Sequence, residues 1–306
     1  MAGEPTPGSF FGDYRVEELI GRGGMGAVLR ATRLSDGSPA ALKLVLGERS
    51  GELGFQERFE REGRVASSFD HPHLVRVLEV GTHEGIPFIA MAFVDGVDLE
   101  GVLAGSGSLH PATAAKVVAQ VAAGLDAIHA EGLVHRDVKP GNVLLERRAI
   151  GVHALLSDFG LSKHMDSMSG LTRTGQWVGT VDYAAPEQVQ AGDTGPFTDV
   201  YALGCVLHEA LTGSVPYPRE RDVDKLMAHV TGPPPAVTAT APHVPEAFDE
   251  VVRTAMARDA QARHSSAGEL GRAALAAAAD AGPEPDEPIP FPSARRVVDT
   301  DAPTAG

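Results

Sequence analysis

The residues with the clearest chemical potential sit in one short loop, LVHRDVKPGNVLL from Leu133 to Leu145, where an acid, two bases and an amide stand between two apolar runs. Asp137 lies between Arg136 and Lys139. A carboxylate so placed can take a proton from a hydroxyl, while the lysine steadies negative charge nearby. Asn142, further along the loop, can offer a carbonyl oxygen to a hard cation such as Mg²⁺. Alone, the loop also reads as a polar turn, so its meaning depends on what the rest of the chain brings to it.

The elements able to position it follow from apolar patterning. The chain has 306 residues, enough to bury the core of one large two-lobed domain or of two smaller ones. From Tyr14, YRVEELIGRGGMGAVLRATRL sets two apolar stretches about a glycine cluster, which predicts two antiparallel strands joined by a turn. SPAALKLVL predicts a third strand and leaves Lys43 among apolar neighbours. FQERFEREGRVASSF predicts a helix with Phe55, Phe59, Glu62 and Ala66 on one face, and an acid in that stripe wants a basic partner. HPHLVRVLEVGTHEGIPFIAMAFV predicts two more strands about a glycine-containing turn, and DGVDL reads as the connector to a second lobe. PATAAKVVAQVAAGLDAIHAEG predicts a helix with Ala114, Val117, Val118, Val121, Leu125 and Ile128 at helical spacing, stopped by Gly132. TDVYALGCVLHEALTG is apolar on nearly all sides and predicts a buried helix. Residues 1–11 read as a flexible lead-in, and residues 281–306, rich in Pro, Asp, Glu and Thr, as a disordered tail.

Composition excludes several classes of function. A net charge of −15 argues against nucleic acid as a partner, because binding the phosphate backbone needs a basic surface. The single cysteine, Cys205, rules out an intrachain disulfide and suits a reducing compartment; its apolar surroundings point to packing. No leader-like start and no run long enough to span a bilayer is present in the sequence. His71, His73 and His129 lack metal-like spacing with Cys or Asp partners.

Taken in order, the motifs are Gly21, Gly23 and Gly26 with Val28, then Lys43 in ALKLV and Glu62, then HRDVKPGN, DFG from Asp158, and GTVDYAAPE ending at Glu187. The glycine cluster alone is weak. A dinucleotide-binding turn would need a helix after the third glycine, whereas AVLRATRL reads as a strand. The whole set, at these intervals, resembles the Hanks-type, eukaryotic-like bacterial serine/threonine protein kinases over roughly residues 12–280. The resemblance implies an α+β, bilobal protein-kinase fold: a small antiparallel β-sheet lobe with one main helix (12–93), a hinge (92–96) and a larger, mainly helical lobe (97–280).

It also implies roles for individual residues. Asp137 would be the base that accepts the substrate hydroxyl proton, Lys139 would stabilise the transferring phosphoryl group, and Lys43, held by Glu62, would reach the α and β phosphates. ATP would be covered by Ile20, Gly21, Arg22, Gly23, Gly24, Met25, Gly26, Ala27 and Val28, and would meet Ala41, Met91 and Phe93 around the adenine. Asn142 and Asp158 would bind Mg²⁺, with Mn²⁺ as the alternative. Many relatives carry an acid where Ala92 stands; the connector binds adenine through its backbone, so the difference should matter little. His135 and Phe159 are packing residues in this reading, Glu187 pairs with Arg263, and Asp199 anchors the catalytic loop.

Lys139 two residues after Asp137, together with Thr180, follows the Ser/Thr pattern and disfavours tyrosine specificity. Arg136 marks family members whose activation loop is ordered by phosphorylation, and Thr172 and Thr174 sit where bacterial relatives modify themselves. Two rival readings keep the same fold. A nucleotide-binding pseudokinase is disfavoured because Lys43, Glu62, Asp137, Asn142 and Asp158 are all present, and a small-molecule kinase because the LTRT and GTVDYAAPE segments suit a peptide. The expected partners are ATP and proteins carrying Ser or Thr, with a homodimer through the small lobe as a further expectation. A cytoplasmic location with no membrane segment is expected.

Overall fold

Alternation of apolar and polar residues builds the first part of the chain into a sheet with one buried face. The structure, a computed structural model, describes residues 4–23, 26–46, 55–146, 148, 151–158, 181–282 and 298–299; for residues 55–58, 62 and 298–299 it describes the backbone only. The chain divides into two compact units, Met1–His71 with Val75–Asp95 and Ser293–Gly306, and Pro72–Leu74 with Gly96–Pro292.

In the first unit, strands β1 (Phe10–Phe11), β2 (Tyr14–Gly23), β3 (Gly26–Arg33), β4 (Pro39–Val45), β5 (Val77–His83) and β6 (Ile86–Ala92) form an antiparallel sheet in the order β1-β2-β3-β4-β6-β5. Leu29 and Ala31 on β3, Ala40, Leu42 and Leu44 on β4, and Phe88 and Ala90 on β6 bury one face together with Tyr14 and Val16. Burying a leucine or phenylalanine side chain stabilises by roughly 1.5–3 kcal/mol, so this face holds the unit together. Tyr14, fully buried, spends its hydroxyl on Glu79 at 2.9 Å. β5 and β6 turn back through Glu84 and Gly85, both at positive φ (50° and 81°), the backbone that a two-residue hairpin requires.

Helix α1 (Phe55–Ala66) buries Phe59 and Ala66. Gly63 lets it lie close to β5, since a β-carbon there would stand 2.3 Å from the Val80 side chain. Val80 pairs with Ile89, and Ile89 with Lys43, so α1 rests on the sheet face that carries Lys43.

The second unit opens with β7 (Gly96–Asp98), which pairs with β8 (Val143–Glu146), itself paired with β9 (His153–Leu156). Asp98 caps α2 (Leu99–Ser106) by accepting from the Gly101 amide at 2.7 Å. α3 (Pro111–Ala130) buries Ala114, Val117, Val118, Val121, Leu125 and Ile128, the stripe read from sequence. A short helix α4 (Pro186–Val189) precedes α5 (Pro196–Thr212), which is buried on nearly every side and includes Cys205 and Asp199. α6 (Asp222–Thr231), α7 (Val237–Thr240), α8 (Ala247–Ala255) and α9 (Ala267–Ala277) complete this unit.

Three features depart from the sequence reading. Within the lead-in, Phe10–Phe11 pair with β2, because Phe11 buries its ring edge-on against Phe88 and His83. Pro72–Leu74 belong to the second unit, where Leu74 bridges Leu156 and the His73 carbonyl accepts from the Leu156 amide at 2.9 Å. In the tail read as disordered, Val298–Asp299 (β10) run parallel to β2 beside Gly21 and Arg22; residues 283–297 and 300–306 lie outside the described residues.

Gly26 has a steric reason to be glycine that the motif does not suggest. Its φ is 143°, and a β-carbon there would meet the Leu44 carbonyl oxygen at 1.8 Å. Gly21, by contrast, would meet nothing nearer than Val28 at 3.8 Å. Gly26→Ala is expected to destabilise the protein by about 1–3 kcal/mol or more, read as a lowered thermal midpoint by circular dichroism. An unchanged midpoint would contradict this packing.

Candidate active site

The catalytic-loop candidates are placed by one buried carboxylate. Asp199, 0% exposed near the start of α5, accepts the His135 amide at 2.8 Å and the Arg136 amide at 2.7 Å, and stands 2.7 Å from His129 Nε2. The helix N-terminus favours a negative charge at this position. Arg136 is held at a φ of 67°, a left-handed backbone costing a non-glycine residue about 1–2 kcal/mol, which the two amide bonds to Asp199 offset. The Arg136 carbonyl accepts from Gln188 Nε2 at 3.0 Å, which ties the loop to α4.

Beyond Arg136 the reactive groups converge. Lys139 Nζ lies 3.0 Å from Asp137 Oδ2, and Asn142 Nδ2 donates to the same oxygen at 3.0 Å and to the Asp137 carbonyl at 2.7 Å. Burial pushes the Lys139 ammonium down, but Asp137, Asp158 and Glu100 more than offset it, and its pKa is raised. Glu100 is itself raised by burial and by Asp98. A protonated lysine thus stands among carboxylates, positioned to meet further negative charge.

His135 joins this loop to the β8–β9 hairpin: its Nε2 donates to the Ser157 carbonyl at 2.8 Å. Ser157 donates its amide (2.9 Å) and hydroxyl (3.1 Å) to the Asn142 carbonyl. Asp158 follows at a φ of 63°. Because Asn142 commits its Nδ2 to Asp137, its Oδ1 is the atom it can offer outward. An amide oxygen and a carboxylate form a hard-oxygen donor set that fits a divalent cation completed by phosphate and water. Among the described residues no cluster of three or more His, Cys, Asp and Glu makes a metal site from protein ligands alone.

In the first unit, strand register places several nucleotide-binding candidates together. Val28 pairs with Lys43, and Ala41 with Met91, so all four lie on the sheet face opposite the Leu29, Leu42 and Ala90 core. Ala27 does not join them; it is fully buried on the core side, leaving only its backbone for a ligand. Ile20 sits at a bulge in β2, and Gly21, Arg22 and Gly23 continue the strand. Arg22 is exposed and pairs with Glu4 at 2.8 Å, and Phe93 lies under the Arg30 guanidinium at 4.7 Å. Glu62 falls on α1, its side chain outside the described residues. Gly24, Met25, Phe159, Thr172, Thr174 and Thr180 also lie outside them.

Other ties support the loop from behind. The expected Glu187–Arg263 pair is bidentate at 2.9 and 2.8 Å with Arg263 fully buried, so losing one partner would strand a charge at a cost of about 3–5 kcal/mol. His129, read from sequence only as a core or surface residue, proves to be a hydrogen-bond partner of Asp199. Gln188 and the Tyr183–Glu209 contact (2.5 Å) carried no signal in the sequence, because polar residues in loops resemble solvated ones.

Burial raises the Glu209 carboxyl from 4.5 to about 7; the Tyr183 hydrogen bond opposes the shift, while Glu100 and Asp182 add to it. The folded protein therefore holds this proton through a pH range in which the unfolded chain releases it. Stability is expected to fall as pH rises from about 4.5 to about 7. Glu209→Gln should flatten that fall by roughly 2–3 kcal/mol, measured as urea-unfolding free energies at pH 5 and pH 8. Parallel pH profiles for the two proteins would refute it.

Comparison with known proteins agrees with this geometry. The family model described as "Protein kinase domain" matches residues 14–273. The chain is 41% identical over 273 residues to the serine/threonine-protein kinase PknH of Mycobacterium bovis, covering 89% of this chain and 45% of that protein. It is 42% identical over 280 residues to PknJ of Mycobacterium tuberculosis, covering 90% and 47% respectively. The chain thus spans less than half the length of these curated relatives. The crystal structure of the Mycobacterium tuberculosis PknI kinase domain superposes with a TM-score of 0.71 at 28% identity, over 90% of this chain and 100% of that one. With a family match over most of its length, the chain belongs to the protein kinase domain family.

Proposed function

We propose that the protein transfers the γ-phosphate of ATP to serine and threonine hydroxyls of proteins. The observation that carries this reading is the arrangement of Lys139 and Asn142 about Asp137 Oδ2, each at 3.0 Å, on a loop anchored by Asp199. A carboxylate held in this way can orient an incoming hydroxyl and accept its proton. Lys139, kept protonated by three carboxylates, supplies positive charge for the phosphoryl group in transfer. Lys43, on the sheet face shared with Val28, Ala41 and Met91, is suited to the α and β phosphates, and Glu62 on α1 is its proposed partner. Asn142 Oδ1 and Asp158 would hold Mg²⁺, or Mn²⁺, which when bound neutralises phosphate charge and orients the ATP.

Regulation by phosphorylation at Thr172 and Thr174 belongs to the same reading. Its support is Arg136: the Nε is buried without a hydrogen-bond partner among the described residues, an arginine donor group suited to a phosphate. Among the described residues no helix is long and apolar enough to cross a membrane. The use of ATP and the single buried Cys205 support a cytoplasmic location.

Incubation with ATP and Mg²⁺ followed by phosphosite mapping tests catalysis and acceptor class together. Phosphate is expected on serine and threonine, including Thr172 and Thr174, and Asp137→Asn is expected to lower transfer to a generic basic protein by about 10²- to 10⁴-fold. Equal incorporation by both proteins, or phosphate confined to tyrosine, would overturn the proposal.

A further inference from the structure

The turn Val181–Tyr183 is held by side chains from two other helices of the second unit, and the α4 helix after it is tied to the loop at Arg136. On α6, Lys225 Nζ reaches both carboxylate oxygens of Asp182, at 2.9 and 3.1 Å. On α5, Glu209 accepts the Tyr183 hydroxyl. Leu226, beside Lys225, packs against Val181 and Ala184. Gln188 links this stretch to the catalytic loop, accepting from the Ala185 amide at 3.0 Å and donating to the Arg136 carbonyl at 3.0 Å. Arg136 directly precedes Asp137. A continuous set of bonded groups therefore runs from α6 through Asp182 and Gln188 to the residue before the proposed base.

The Lys225–Asp182 pair differs from the chain's surface pairs. Its side chains are 15% and 17% exposed, against 63% and 66% for Arg253–Glu250. Shielded from water, its attraction is less screened, and removing one partner leaves the other charge poorly solvated. Asp182 is one of the acids, with Glu100, whose charge helps to raise the Glu209 carboxyl, and Lys225 is the cation that pairs with it. Nothing in the sequence motifs marks Lys225.

We propose that Lys225 is a positioning residue for the protein substrate. Through Asp182 it fixes the turn at residues 181–185, which Gln188 ties to Arg136. That tie sets the turn beside the residue preceding Asp137, where an acceptor chain would present its hydroxyl. Lys225 thereby governs KM for the protein substrate and leaves KM for ATP alone. This inference rests on the kinase reading above.

The test is steady-state phosphoryl transfer to a generic basic protein by the 306-residue chain, with Lys225→Met, Lys225→Arg and the exchanged pair Asp182→Lys with Lys225→Asp. Lys225→Met is expected to raise KM for the protein substrate about tenfold with KM for ATP within about twofold, while Lys225→Arg and the exchanged pair recover most of the loss. An unchanged protein KM in Lys225→Met overturns the inference. So does a joint change in both KM values and kcat that neither Lys225→Arg nor the exchange recovers, since that is the mark of a purely structural role. Absence of transfer by the unmutated chain is a separate result, which removes the kinase reading itself.

Discussion

The buried carboxylate of Asp199 is the constraint on which the candidate catalytic loop depends. Taking a carboxylate out of water costs several kcal/mol, and a protein retains such a group only when donors replace the lost hydration. Here two consecutive loop amides and an imidazole do so. The demand works in both directions. The amides of His135 and Arg136 can both reach one carboxylate because the backbone bends at Arg136, and that bend is sustained because both amides are used. Asp137, the next residue, inherits its place from this arrangement.

Around that anchor the charges are arranged to oppose one another. Lys139 stands among Asp137, Asp158 and Glu100, and their net effect keeps it protonated. The same region holds Glu209, whose carboxyl titrates near neutrality because burial and neighbouring acids both disfavour its ionised form. Asn142 joins the two halves of this arrangement: its side chain steadies Asp137, and its carbonyl holds the Ser157 residue that precedes Asp158.

The sequence was most legible where one physical demand fixed each residue. The stripe on α3, the enclosed α5 and the alternating β3 and β4 follow from apolar periodicity, and the structure contains them with nearly the expected boundaries. Asp137, Lys139 and Asn142 stood out because their types and spacing within one loop imply chemistry, and the structure brings them within hydrogen-bond reach. What stayed hidden depends on long-range contacts. Phe10 and Phe11 looked like part of a loose lead-in because two apolar residues have no period; only β2, His83 and Phe88 give Phe11 its place. Gly26 fits the phosphate-loop pattern, but the pattern does not show the steric demand that the Leu44 carbonyl on the neighbouring strand adds. Lys225 and Gln188 are ordinary surface residues by sequence, and only the tertiary fold pairs them with Asp182 and the Arg136 carbonyl.

The most direct measurement of the central claim is the phosphoryl-transfer rate of Asp199→Asn at saturating ATP, with ATP affinity determined separately by titration. The substitution keeps size and one acceptor oxygen but turns an NH₂ group toward the donors that Asp199 now satisfies. If the buried carboxylate sets the position of Asp137, transfer falls by about 100-fold, as a shift of the order of 1 Å would cause, while ATP affinity stays within about threefold. An Asp199→Asn protein that transfers phosphate at the unmutated rate would contradict the account.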